Sequence, residues 1–277
     1  MPGARRDGSA DDASRPRPAR ATVAIVCAAE EARPLLDRFI ADVGHVLPLA
    51  ALWAHGSLAL GDFQPGRSDL DLVALIAAPV TAAQRQALQG AHVALLSLPL
   101  ADKLHCAYVV RGDVADADRG HMTWAHGELF DRVVSPVTRR ELLQGGLCLH
   151  GAEPSGVLPA VGDAELASYI RADLGDYWHP RTGEPELWLR DIWVDLGMLT
   201  FARATVTLRD GRLITKREAL EVLTTLGAPA DVVRDIYQRR YENPPPVSGQ
   251  WRAERGSLAR TFVRSGIERA LGLRPGG

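Results

Sequence analysis

Two short apolar runs, LAALWA at 49–54 and LDLVALIAA at 70–78, constrain the fold of this chain more than any other feature. Each run is typical of a strand buried within a sheet, and a polar segment with a Gly-Ser pair separates the two. The second run nevertheless contains Asp71, and Asp69 directly precedes it. Carboxylates in such a strand are costly unless a cation compensates them, so the sequence predicts a charged site beside two buried strands.

The spacing of these polar residues indicates what the site binds. Residues i and i+2 of a strand point to the same face, so Asp69 and Asp71 are predicted to lie side by side. Their oxygens suit Mg²⁺, which takes one or two carboxylates together with phosphate oxygens of a substrate. Gly56 lets a phosphate approach backbone N–H groups, and the hydroxyl of Ser57 adds a donor. The pattern therefore predicts a site for Mg²⁺ and a triphosphate.

The composition is that of an ordinary globular protein, with 277 residues, 46% of them hydrophobic and 24% charged. This length favours about two domains. The net charge of −2 argues against nucleic acid as a partner, because phosphate neutralisation requires a basic surface. Three scattered cysteines indicate a reducing compartment, and no apolar run approaches the roughly 18 residues of a membrane span. We expect a cytoplasmic monomer that does not bind membranes.

Hydrophobic periodicity predicts an α+β fold in which a small mixed sheet is followed by a helical bundle. Thr81 is predicted to cap a helix between the second and third strands. The other predicted elements are a helix over 23–43, strands over 50–54, 70–77 and 103–110, and a series of helices from 138 onward, including a long one that begins at Glu186. The predicted organisation is a flexible tail at 1–21, a sheet domain at 22–150 and a helical domain at 151–277.

The segment HGS-x11-DLDL resembles the signature of the polymerase-β-type nucleotidyltransferase superfamily. A more local resemblance is to the aminoglycoside 3''-type adenylyltransferases, the spectinomycin and streptomycin resistance enzymes. It extends over about residues 25–240 and includes the loop ending in Ser68, the strand KLHCAYVV, and Trp178 ahead of a long helix. The resemblance implies Mg²⁺-dependent transfer of AMP from ATP to a hydroxyl of an aminoglycoside- or aminocyclitol-like acceptor, with release of pyrophosphate.

The resemblance also implies roles for individual residues. Asp69 and Asp71 would be catalytic and would bind the metal ions. The nucleotide would be held by Gly56, Ser57 and Ser68, with Ser57 at the β and γ phosphates.

One position departs from the family pattern. The family's third carboxylate, the general base, falls two residues into KLHCAYVV, where this chain has His105. A neutral imidazole can accept a proton but brings no negative charge for a second metal ion. Three alternatives follow: His105 is a catalytic base, the protein acts on a different small-molecule acceptor, or it is a nucleotide-binding relative with impaired activity. Asp102 and Glu128 are possible substitutes for the missing carboxylate.

A polyhydroxylated, cationic acceptor requires carboxylates and a flat aromatic surface. The candidates for this pocket are Trp124, Trp178, Glu184, Glu186 and Asp191, and the two tryptophans match aromatic positions of the family. On a helix that begins at Glu186, Trp188 and Asp191 would share a face. The arginines at 239 and 240 and those of the last helix are interpreted as an exposed face.

Overall fold

A mixed β-sheet forms the centre of the N-terminal half of the protein. The computed structural model describes the backbone of residues 19–273 and the side chains of residues 30–273. Within this range the strands are β1 (Leu49–Ala54), β2 (Leu70–Ile76), β3 (Leu104–Val110), β4 (Gly120–Ala125), β5 (Glu128–Val133) and β6 (Leu147–Gly151). They form one sheet in the order β5-β4-β3-β2-β1-β6. The predicted tail at 1–21 lies outside the described residues except for its last three, which are helical.

One pair of strands in this sheet is parallel. Strands β2 and β3 run side by side in parallel, with Asp71 opposite His105, whereas each other neighbouring pair is antiparallel. A parallel pair needs a crossover connection, which is supplied by α3 (Ala82–Leu95). Thr81 caps this helix in a capping box with Gln84, as the sequence predicted.

Both faces of the central strands are buried, which explains their nearly continuous apolar sequence. On one face α1 (Ala19–Val46) and α3 cover the sheet, with Phe39 and Leu88 in a core that includes Leu52. On the other face Trp53 and its neighbours pack against α4 (Pro136–Gly145). Because the side chains of β1 alternate between these two cores, its register determines which of them face each layer of helices.

The C-terminal half is helical, and its core combines the buried Trp178 and Trp188 with aliphatic side chains. The helices are α5 (Asp163–Ala172), α6 (His179–Arg181), α7 (Asp191–Asp210), α8 (Lys216–Thr225), α9 (Ala230–Tyr241) and α10 (Gly249–Leu271), with a π-helical turn at Asp173–Trp178 and a 3₁₀ turn at Pro185–Leu189. This arrangement confirms the predicted fold class of a mixed sheet followed by helices. No helix in the described part of the chain is long and apolar enough to cross a membrane.

Several element predictions need correction. The long helix predicted from Glu186 is two elements, because Arg190 is extended (φ −91°, ψ 132°) and separates the 3₁₀ turn from α7. Trp188 and Asp191 therefore do not share a helical face. The hairpin formed by β4 and β5 was not predicted, and neither was the short helix α2 of the Gly-Ser segment, which in chain order lies between β1 and β2 (Gly56–Leu60).

The packing of α10 depends on a close approach at Gly256. A Cβ at this position would lie 2.4 Å from the backbone oxygen of Trp188, whereas a Cβ at Gly90 of α3 would meet nothing within 4 Å. Gly256→Ala should therefore destabilise the protein by about 1–3 kcal/mol through overpacking. Gly90→Ala should stabilise it by about 0.5–1 kcal/mol, because glycine is unfavourable inside a helix. Chemical denaturation of both variants tests this, and equal effects of the two substitutions would contradict it.

Candidate functional site

The Gly-Ser turn lies directly against a carboxylate of the neighbouring strand. Gly56 adopts φ +61°, and a Cβ added to it would lie 2.8 Å from Oδ2 of Asp71. The backbone N–H of His55 donates to the carbonyl oxygen of Asp71 at 3.0 Å, which ties the turn to β2. Only glycine combines this left-handed conformation with so close an approach, so the turn and the carboxylate form one rigid unit.

Asp71 projects into a cleft between the sheet and the helical half. Its Oδ1 lies 3.6 Å from Nδ1 of His105 on the adjacent strand. Burial raises the pKa of Asp71, but interaction with His105 and the charges of His55 and Lys216 outweigh burial and hold the pKa below its ordinary value. Asp71 is therefore an ionised carboxylate at neutral pH.

Asp69 precedes β2 by one residue, and its charge acts on Lys216, as does the charge of Asp71. The two aspartates thus share one cationic neighbour. Asp69 is not among the described residues that line the cleft, and Ser68 is buried, where its Oγ accepts from the backbone N–H of Gln64 at 3.0 Å. Of the predicted nucleotide and metal residues, the cleft brings together Gly56, Ser57 and Asp71.

His105 lines the same cleft and has a second histidine beside it. The imidazole of His126 lies 4.7 Å from that of His105, measured between ring centroids, at an interplanar angle of 71°. His126 is in the tight turn between β4 and β5 and has a positive φ of 54°. The candidate base therefore has a carboxylate and a second imidazole as neighbours.

A buried charge cluster links the turn to both helical elements around the cleft. His55 Nδ1 lies 3.0 Å from Oε2 of Glu141 in α4, and Arg203 Nη2 of α7 donates to Oε1 of the same carboxylate at 2.8 Å. Burial raises the pKa of Glu141, yet the hydrogen bond with His55 and the charge of Arg203 hold it below its ordinary value. Burial lowers the pKa of His55, but Glu141 and Asp71 raise it by more.

Lys216 lines the cleft and has no hydrogen-bonded carboxylate among the described residues, as is also true of Arg132. It is the first residue of α8, directly after Thr215, whose side chain caps that helix. Burial, Arg240 and Arg203 lower the pKa of Lys216, and the two aspartates of the motif oppose them. Three residues of the cleft were not predicted from the sequence: Lys216, Glu141 and Arg203. The capping motif at Thr215 is a local pattern that marks the position of Lys216.

The cleft has a volume of about 230 Å³ and contains groups of both signs. Asp71, Asp62 and Glu141 are its described carboxylates, and the lining cations are Lys216, Arg203 and Arg132. Tyr169 of α5 contributes an aromatic side chain to the wall. These groups can hold an anionic ligand near the Gly-Ser turn and can accept a proton at His105.

The residues predicted for the acceptor pocket lie elsewhere. Trp124 is 2% exposed and stacks on His92, because alternation in β4 directs Thr123 to the cleft and Trp124 to the opposite face. Trp178 is 7% exposed in the helical core, against Trp193. Glu184 and Glu186 are on the surface, and Asp191 pairs with Arg255. None of these five side chains is among the described residues lining the cleft.

Asp102 and Glu128, the possible substitutes for the missing carboxylate, do not reach the site. Asp102 is exposed in a 3₁₀ turn before β3, and Glu128 is exposed at the start of β5. Neither is among the described residues that line the cleft. His105 is therefore the group that the structure places where the sequence analysis expected a base.

The motif carries carboxylate oxygens of the kind that Mg²⁺ prefers, and of its two aspartates Asp71 lines the cleft. No group of three or more His, Cys, Asp or Glu side chains that could hold a metal ion occurs among the described residues. Asp69 and Asp71 supply two carboxylates, which is the number that Mg²⁺ commonly takes from protein when phosphate oxygens complete its shell. The imidazole of His105 is a poor ligand for Mg²⁺. The other carboxylates of the cleft are already engaged, Glu141 by His55 and Arg203 and Asp62 by Tyr241.

Comparison with known proteins gives a structural relative and no sequence relative. No protein-family model matches the chain, and no curated protein matches it. The chain is similar in structure to the spectinomycin adenyltransferase AAD(9) from Enterococcus faecialis, which was crystallised with ATP and spectinomycin. The TM-score is 0.67 at 13% sequence identity, over 86% of this chain and 99% of the other. At this identity the likeness establishes a shared fold.

The His55–Glu141 pair makes stability depend on pH. The pKa of His55 is raised in the folded state, so the pair contributes fully below the ordinary imidazole pKa of about 6.5 and is lost as the pH rises through the folded pKa. The difference in free energy of unfolding between the native protein and His55→Gln should therefore shrink as the pH is raised from about 6 to 9. Urea denaturation at several pH values measures it, with the exposed His150→Gln as a control. A difference that stays constant across this range would contradict the linkage.

Proposed function

We propose that this protein is a nucleotidyltransferase that transfers AMP from ATP to a hydroxyl of a small, polyhydroxylated, cationic acceptor. The observation that carries the proposal is the contact between Gly56 and Asp71. It presents a phosphate-accessible turn and an ionised carboxylate at one point of the cleft. The fold shared with an adenyltransferase crystallised with ATP and spectinomycin supports the same reaction and an aminocyclitol acceptor.

The proposed nucleotide site uses the turn and the cations around it. Phosphate oxygens accept hydrogen bonds from the backbone at Gly56 and from the hydroxyl of Ser57. Lys216 lies near both motif aspartates, where it neutralises phosphate charge. Asp69 and Asp71 would hold Mg²⁺, which when bound offsets the negative charge of the polyphosphate and favours its departure.

The proposed chemical step is an in-line displacement at the α-phosphorus. The acceptor hydroxyl oxygen forms a bond to that phosphorus while the bond to the bridging oxygen of the β-phosphate breaks, and pyrophosphate leaves. The proton of the hydroxyl passes to the imidazole of His105. Asp71, 3.6 Å away, stabilises the imidazolium that forms and orients the ring.

The lining of the cleft and the structural relative support the proposed class of acceptor. The cleft wall combines hydroxyl and aromatic groups at Ser135, Thr138 and Tyr169, which suit a polyhydroxylated ring. Because Glu141 is already paired with His55 and Arg203, it offers little charge to a cationic acceptor. A different small acceptor on the same scaffold is therefore the second candidate, and the substitution at His105 favours it.

Pyrophosphate release from Mg·ATP, with spectinomycin and streptomycin as acceptors, is the central test. Asp71→Asn should lower kcat/KM by about a thousandfold or more, because several kcal/mol of charge stabilisation are lost. Gly56→Ala should also inactivate the protein. Gly66→Ala should leave it active, because Gly66 has a similar φ of +72° but no atom lies within 4 Å of its added Cβ. The exposed Asp102→Asn provides the control for loss of a carboxylate.

The outcomes separate the candidates. Full turnover by Asp71→Asn would disprove the proposed site. The second candidate would be supported if pyrophosphate is released with neither drug but is released with another hydroxylated acceptor. Binding of ATP without release for any acceptor would identify an impaired nucleotide-binding relative.

The role of His105 predicts a particular pH profile. Glutamates titrate about two units below imidazoles in reference peptides. If His105 is the base, His105→Glu should remain active and move the acidic limb of the kcat/KM profile to lower pH, because a carboxylate is a weaker base than an imidazole. His105→Gln should lose about 10²-fold or more in kcat. An unchanged profile in both variants would exclude His105 as the base.

A further inference from the structure

Arg240, near the C-terminal end of α9, carries a charge that no described carboxylate compensates. Its Nη2 donates to Oγ of Ser68 at 3.3 Å, and its guanidinium carbon lies 5.7 Å from the ring centroid of Tyr241. Its Nε is shielded from solvent and has no hydrogen-bond partner among the described residues, a state that the Nε atoms of Arg139 and Arg255 share. A partly buried cation with an unused donor is unfavourable in the absence of an anion.

Two other arginines of the helical half differ from Arg240 because carboxylates compensate their charge. Arg239, the preceding residue, pairs with Asp195 and Asp235, and the fully buried Arg255 pairs with Asp191 and Asp235. These contacts correct the interpretation of Arg239 and Arg255 as part of an exposed face, whereas Arg252 and Arg269 are exposed as predicted. The contrast shows that the helical half supplies carboxylates where a buried arginine is structural. Arg240 has no such partner, so its cost must be offset in another way.

Arg240 is connected to the motif through Ser68, although neither of these two residues is among those that line the cleft. Ser68, which it contacts, directly precedes Asp69 of the motif. The charge of Arg240 also acts on Lys216, which lines the cleft. The nearby Asp62 is already occupied, because it accepts from the hydroxyl of Tyr241 at 2.9 Å and from the backbone N–H of Arg217 at 3.2 Å. The charges of Arg240 and Lys216 therefore oppose each other, and those of Asp71 and Asp69 act in the opposite direction on Lys216.

We propose that Arg240 and Lys216 form a subsite for the polyphosphate chain of a nucleoside triphosphate, with Arg240 supplied by the helical half of the protein. The proposal rests on the proposed function, since it names a further residue for the same nucleotide. A phosphate between the two side chains relieves their repulsion and uses the free edge of the guanidinium, whose planar fork suits phosphate oxygens. Because Arg240 contacts Ser68, the same anion would also tie α9 to the motif loop.

The subsite recognises a polyphosphate and not the nucleoside. ATP and inorganic tripolyphosphate should therefore depend on Arg240, whereas AMP, which lacks the distal phosphates, should not. A purely structural role for Arg240 would instead affect the three ligands alike.

Titration calorimetry on the full chain measures the affinity for each ligand. EDTA in the buffer removes metal ions, so that only the cations of the protein contribute to phosphate binding. Arg240→Gln should weaken binding of ATP and of tripolyphosphate by about tenfold or more, equivalent to about 1.4 kcal/mol, and should leave AMP unchanged. Arg240→Lys should bind ATP and tripolyphosphate with affinities between those of the native protein and Arg240→Gln, because lysine keeps the charge but lacks the planar guanidinium fork. Arg234→Gln is the matched control, since Arg234 lies on the same helix and is exposed beside Asp231.

Each result bears on the proposal. Equal affinities of Arg240→Gln and the native protein for ATP and tripolyphosphate would overturn it, as would a native protein that binds neither. If thermal unfolding shows that Arg240→Gln is not folded, the same comparison is made with Arg240→Lys, and native-like affinities there overturn the proposal. Arg240-dependent binding of tripolyphosphate without pyrophosphate release from ATP would support the subsite while refuting the proposed function.

Discussion

The close approach of Gly56 to Asp71 is the constraint on which the rest of the site depends. No other residue fits there, since a Cβ would lie 2.8 Å from the carboxylate oxygen while the backbone holds φ at +61°. The backbone hydrogen bond from His55 to Asp71 fixes the same turn onto β2. The parallel pairing of β2 with β3 then places His105 opposite Asp71. Turn, carboxylate and imidazole are thus positioned by backbone geometry, which side-chain motion cannot easily disturb.

Charge compensation connects this unit to the helical half. Glu141 is shared between His55 and Arg203, so the turn after β1, helix α4 and helix α7 meet at one carboxylate. A second connection joins Asp62, in the loop after α2, to Tyr241 and Arg217. Removing one partner from such a buried group leaves an uncompensated charge, which is more costly than losing the pair as a whole. The cleft therefore depends on the correct placement of both halves of the chain.

Local patterns predicted much of the sheet and part of the site. The apolar runs indicated β1 and β2 because both faces of these strands are buried, and Thr81 indicated the start of α3 through its capping box. The hairpin of β4 and β5 was missed because β5 is largely exposed and lacks an apolar pattern. The continuous helix from Glu186 was wrong because periodicity alone does not detect the extended Arg190. The division at residue 150 stays a prediction.

The sequence by itself determined the Gly-Ser turn, the carboxylates after it and the histidine on the next strand, because these follow from chain spacing and from alternation along strands. Tertiary structure alone decided which face Trp124 occupies and which arginines find carboxylates. It also brought Glu141 and Arg240 to the motif, at 86 positions from His55 and 172 positions from Ser68. Contacts across such separations depend on how the helices pack against the sheet, and no local propensity encodes that placement.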